Sequence, residues 1–194
     1  MTKIKYIWAL FLILILNNLI AQEKVSMKDV YVENDLVYKV SDEQLFTGIA
    51  QRIRKNGHLV YEESYNTGII KESNLYYNSK ERIISDKIIY NQKKLYSKEK
   101  EIRFHLSKDT LRIKTFDDNG KKKLVEEFEN NHITYKCEYK GKKKHGLELR
   151  YKENGKKITY RCEYINGKKN GEELCINDNG TKSVKNYSNG KKIK

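Results

Sequence analysis

Thr134–Ile158 reads TYKCEYKGKKKHGLELRYKENGKKI, and the next 25 residues, Thr159–Ser183, read TYRCEYINGKKNGEELCINDNGTKS. Aligned without a gap, the two segments are identical at thirteen positions, including Thr-Tyr, Cys-Glu-Tyr, Lys-Lys, Gly146/Gly171 and the Asn-Gly pairs. Self-similarity at a period of about 20–50 residues marks stacked supersecondary units, none of which buries its own apolar side alone.

Asn-Gly between alternating runs signals a hairpin, because a type I′ turn needs positive φ at both central residues. Placing that turn at Asn154-Gly155 sets a register: Tyr151 faces Ile158, Leu149 faces Tyr160 and Leu147 faces Cys162. These residues and Tyr164 then share one face, to which the preceding segment adds Tyr135, Cys137 and Tyr139, and Leu174 extends it. Glu148, Arg150, Lys152, Lys157, Thr159, Arg161 and Glu163 take the other face. Alternation with period 2 predicts a sheet with one apolar and one charged side. The 3.6-residue spacing of a helix fails here, and the Asn-Gly pairs would break one.

Tyr164-Ile-Asn-Gly-Lys-Lys-Asn-Gly171, followed by a strand ending in Asn179-Gly180, resembles a MORN repeat. It is most similar to the bacterial variant known as YwqK-like antitoxin repeats. The resemblance spans roughly residues 112–194, is recognisable at 46–68 and is poor at 69–111. It implies an elongated, single-layer antiparallel sheet of stacked β-hairpins that serves as an interaction scaffold, without catalytic residues.

Composition agrees with an all-β chain of this kind. Charged residues make up 34%, hydrophobic residues 38%, and there are 15 tyrosines and no proline. That is too polar for a thick core, while tyrosine supplies large amphipathic side chains suited to strands. Residues 1–21 read as a cleavable signal peptide: Lys3 and Lys5, the apolar run Tyr6–Leu16, and Ala21 before Gln22. The run is shorter than the ~20 residues of a membrane span, so the mature chain is expected in the periplasm or secreted. Residues 22–45 predict a leading hairpin or cap, with a turn at Glu33-Asn34-Asp35.

Residues 46–194 form the expected repeat sheet. Gly48 to Gly57, Gly146 to Gly155 and Gly171 to Gly180 share a nine-residue step, each with Asn before the second glycine. Residues 69–111 keep strand composition but lose the glycines. They read as decayed repeats, with a helical insertion at 93–101 as the alternative. A charged final segment, 181–194, reads as a cap that blunts the sheet edge.

Three cysteines in an exported chain suggest a disulfide. In the register above, however, Cys175 points away from Cys162, and Cys137 lies two strands, about 9.5 Å, from Cys162. Free thiols are the expectation, unless a bulge at the glycine turn shifts the parity. His58, His105, His132 and His145 have no metal-ligand spacing, and no nucleophile, phosphate loop or paired-acid motif stands out. The expectation is a protein that is not an enzyme, with no cofactor and no metal.

The functional signal is basic charge. The chain carries a net +14, and residues 120–194 hold 20 Lys/Arg against 10 Asp/Glu, clustered at turns. A row of turn lysines makes a basic rim suited to an acidic protein partner, or to anionic lipid or acidic polysaccharide; export argues against nucleic acid. Candidate partner-binding residues are Tyr139, Tyr160 and Tyr164, with Lys143, Lys144, Lys168 and Lys169 steering. The expected function is an exported binding scaffold; alternatives are an antitoxin or immunity protein that neutralises a toxin, and attachment to anionic envelope material.

Overall fold

A computed structural model describes residues 22–193. The expected signal peptide lies outside the described residues. β1 (Lys24–Ser26) and one turn of 3-10 helix (Met27–Asp29) lead into a hairpin of β2 (Val30–Glu33) and β3 (Leu36–Lys39). Then come β4 (Gly48–Ile53), β5 (Leu59–Asn66), β6 (Ile69–Tyr76), β7 (Ile84–Tyr90) and β8 (Lys98–Phe104). The C-terminal half comprises β9 (Thr110–Phe116), β10 (Lys122–Glu129), β11 (His132–Lys140) and β12 (Lys143–Lys152). It ends with β13 (Lys157–Ile165), β14 (Lys168–Ile176), β15 (Lys182–Ser188) and β16 (Lys191–Ile193).

Fourteen of these strands form one open sheet in the order β1-β4-β5 and onward to β16, so every hairpin lies beside the next. The chain is all-β, an elongated single-layer antiparallel sheet in which only β1 runs parallel to its neighbour β4. Residues 69–111 supply three regular strands despite the lost glycines, and Lys98–Phe104 is a strand where a helical insertion was the alternative.

Turn chemistry differs from the expected register. Type I′ geometry belongs to Asn166-Gly167, with φ of 51° and 88°. At Asn154-Gly155 the loop is longer, and Glu153, Asn154 and Gly155 all have positive φ. Ten of the twelve antiparallel pairings in the large sheet also carry a register shift. Each bulge turns the residues beyond it to the opposite face.

The apolar face expected from strict alternation is therefore overturned. Tyr151 pairs with Ile158, but a bulge follows, so Arg150 pairs with Tyr160 and Glu148 with Cys162. Leu147, Leu149, Tyr151 and Ile158 lie on one face with Arg161 and Glu163. Tyr160, Cys162 and Tyr164 lie on the other, with Glu148 and Arg150. Leu174 pairs with Arg161 and joins the leucine face. The second face is the tyrosine face.

One row of paired residues crosses the tyrosine face from Val25 through Ala50, Ser73, Val125, Cys137, Glu148 and Cys162 to Glu173 and Lys185. Ala50, Ser73, Val125, Cys137, Glu148, Cys162 and Glu173 in it are buried, although the sheet has a single layer. The sequence shows why. On β11 and β13 a small cysteine occupies the row and large residues flank it, as in Tyr135-x-Cys137-x-Tyr139 and Tyr160-x-Cys162-x-Tyr164. Flanking tyrosine rings and lysine stems lie over the row, keeping their polar tips in water.

At the N-terminal end the same face is covered by protein. Val37 of β3 packs with Phe46, Ala50, Tyr65 and Ile70 in the hydrophobic core. The Val37 N–H donates to the Gly68 carbonyl at 2.9 Å, and Phe46 N–H donates to the Val37 carbonyl at 2.9 Å. Gly48 must be glycine there, because a Cβ would lie 2.6 Å from both the Glu23 carbonyl oxygen and the Phe46 ring.

Candidate functional site

The site is built from one structural slot used three times. Phe46, Lys144 and Lys169 each stand two residues before a strand glycine, and their carbonyls accept the N–H of Gly68, Gly167 and Gly190, each at 2.8 Å. Two residues after those strand glycines stand Ala50, Glu148 and Glu173. The slot is thus apolar under the N-terminal cap and holds a lysine–glutamate pair in the last two repeats.

Lys144 Nζ donates to Glu148 Oε2 at 2.5 Å, and the Arg150 guanidinium reaches Oε1 at 3.4 Å. The Lys144 ammonium lies 5.1 Å from the Tyr164 ring centroid and 6.0 Å from that of Tyr135. One repeat later, Lys169 donates to Glu173, which also accepts from the hydroxyls of Tyr160 at 3.1 Å and Tyr187 at 3.2 Å. Cations over tyrosine faces gain from the ring quadrupole. A carboxylate taken from water needs such partners, and Glu148 is 1% exposed and Glu173 4%.

Burial alone would raise both carboxyls, but the hydrogen bonds and charge of Lys144 and Lys169, with those of Tyr164, Tyr160 and Tyr187, hold them below the usual range. A folded-state value below the unfolded one stabilises the fold above about pH 4.3 and loses that effect as pH falls through the folded-state value. Unfolding midpoints in urea should therefore be flat from about pH 7 to 5 and fall steeply below. Glu148→Gln should make the acid decline shallower.

The four candidate lysines divide into two pairs. Lys144 and Lys169 turn inward onto the tyrosine face, whereas Lys143 and Lys168 are exposed at the turns. The four turns on that side from β9–β10 to β15–β16 bring up lysine: Lys121, Lys142, Lys143, Lys168 and Lys191 make no ion pair among the described residues. Tyr139, Tyr160 and Tyr164 share the tyrosine face, half-buried, with Lys122 Nζ 3.6 Å from the Tyr139 centroid.

Cys175 pairs with Tyr160, so it shares a face with Cys162, contrary to the strict alternation; the bulge between β13 and β14 shifts the parity. All three thiols are free. Cys137 and Cys162 sit on either side of Glu148, and burial pushes both thiols up. Thiol counting on non-reduced protein should find three groups in denaturant, while in the native state Cys175 should react well ahead of the two protonated, buried ones.

Comparison with protein-family models and with curated proteins finds no match. Function must come from the surface itself. Among the described residues, no cluster of three His, Cys, Asp or Glu is placed to hold a metal ion, and no helix is long and apolar enough to cross a membrane. The four histidines lie at or near turns, His105 bonded through Nδ1 to Ser107 Oγ at 2.9 Å. Strict alternation misplaces Glu148 and misses Glu173, the carboxylates at the centre of each slot. Their signal is in the repeat, where Lys-x-Gly-x-Glu occurs at both Lys144–Glu148 and Lys169–Glu173 with a left-handed glycine between.

Proposed function

We propose that this protein is a non-enzymatic, MORN-like repeat scaffold of the cell envelope or secreted space, and that its tyrosine face binds a partner. The observation that carries this reading is the contrast along one face. Over β4–β7 the β2–β3 hairpin buries an apolar version of the slot, whereas in β11–β15 the slot is polar and lies on a sheet with no second layer among the described residues.

Tyrosine suits such a surface, because it tolerates water and contributes strongly when a partner desolvates it. The lysine rim beside it raises the encounter rate with an acidic partner. Tyr139→Ala with Tyr164→Ala should reduce partner binding at least a hundredfold while leaving the strand spectrum unchanged. Unaltered binding by the folded double variant would refute the assignment. Tyr160 is a poorer probe, since its hydroxyl also satisfies the buried Glu173.

A further inference from the structure

One lysine of the slot series has no carboxylate. Lys122 occupies the position of Lys144 and Lys169, its carbonyl accepting the Gly141 N–H at 3.0 Å. The row position held by Glu148 beside Cys162, and by Glu173 one repeat later, is held in this unit by Val125 beside Cys137. Lys122 makes no ion pair among the described residues; its ammonium lies over Tyr139.

Around it, an open depression of about 550 Å³ spans β9–β12, lined by Arg112, Lys114, Lys122, Tyr135, Tyr139 and Arg150 among others. This volume falls within the roughly 300–1,000 Å³ of small-ligand sites. Lys114 is held by Glu101 at 2.9 Å, and Arg150 reaches Glu148. Arg112 lies between Arg103, itself bonded to Asp86 at 2.8 Å, and Glu127, with which it makes no ion pair. Glu127 and Glu148 are the carboxylates of the lining, against five cationic side chains, so the depression keeps net positive charge around Arg112 and Lys122. Burial, and then the charge of Lys114, hold the Lys122 ammonium below its usual range. An anion against Lys122 and Arg112 would relieve that crowding, as Glu148 does for Lys144.

The ligand class follows from what the face offers. Backbone groups of β10 and β11 are paired on both sides, so a bound peptide main chain finds no partners there. Tyrosine hydroxyls and an excess of ammonium and guanidinium groups over carboxylates remain, a set suited to a hydroxyl-rich ring that carries an acid. We propose that this depression binds an acidic sugar unit of a polysaccharide, with its anionic group against Lys122 and Arg112 and its hydroxyls toward Tyr135 and Tyr139. The unpaired rim lysines Lys142, Lys143 and Lys168 continue the positive track for neighbouring acidic units.

This inference rests on the tyrosine face being the binding surface, and the test separates the two. Tetragalacturonate is titrated into the full mature chain, followed by amide chemical shifts in β9–β12, with tetraglutamate as a probe of equal charge. Saturable binding is expected, at least tenfold tighter than tetraglutamate, and at least tenfold weaker in Lys122→Gln and in Arg112→Gln. Lys182→Gln, on a distant strand, should bind as wild type. Lys122→Met keeps the stem over Tyr139 and should lose binding while keeping the unfolding midpoint. Absence of saturable shifts, equal binding of tetraglutamate, or unchanged affinity in folded Lys122→Met would overturn the sugar site. Any of these results, together with loss of partner binding in the Tyr139/Tyr164 variant, would overturn this inference alone.

Discussion

Glu148→Ala is expected to destabilise the protein by about 3 kcal/mol, the low end for breaking a buried ion pair. Lys144→Met combined with Glu148→Leu is expected to recover most of that loss. The single substitution leaves the Lys144 ammonium over Tyr164 and Tyr135 without its carboxylate, although Lys144, about a third exposed, can partly rehydrate. The double substitution removes both charges and fills the slot with apolar side chains, which is often neutral or stabilising relative to the ion pair. The chain already uses that solution once, with Phe46 and Ala50 at 2% and 0% exposure. Urea midpoints for the two singles and the double complete the cycle. Equal damage in the double and the single would mean that the pair positions the fold by more than charge compensation.

Reversing the rim should have the second large effect, on kinetics. Lys143→Glu, Lys168→Glu and Lys191→Glu alter exposed side chains at successive turns, none of which makes an ion pair among the described residues. Stability should change by less than about 0.5 kcal/mol per site. Association with an acidic partner should slow at least tenfold at low salt and lose most of its salt dependence, while dissociation changes little. Lys144→Glu and Lys169→Glu should behave differently. They set a carboxylate against the buried Glu148 and Glu173, so the loss there is of folding. If both sets gave the same kinetic phenotype with intact folding, the division of the lysines into rim and slot would be wrong.

The repeat made the strands and their order legible, because period-2 runs and Asn-Gly pairs recur at 25 residues. It also placed lysine at successive turns. What alternation could not supply was which residues share a face. Ladder register is conserved only between bulges, and a bulge depends on backbone conformation at one residue, such as the left-handed Gly146 and Gly171. Reading straight through the bulge between Arg150 and Tyr151 grouped Leu147 and Leu149 with Tyr160, and sent Glu148 to the charged side. The tyrosines and Cys137 and Cys162 escaped this error among themselves, since the bulges beside each Tyr-x-Cys-x-Tyr triplet place their extra residues on the neighbouring strands β12 and β14. Lys122 was legible as a turn lysine only. Its lack of a carboxylate became evident once the row through Val125 and Cys137 was in register with Glu148.

The tyrosine face as binding surface is tested most directly by comparing the two sides of a single strand. A photoreactive phenylalanine analogue is placed at Tyr164, on the tyrosine face, and separately at Arg161, on the leucine face, in the full chain expressed in its native cell. After illumination, adducts are expected from position 164 and not from 161, and the position-164 adduct should disappear when Tyr139→Ala is added. Adducts from 161 alone, or equally from both positions, would contradict the account.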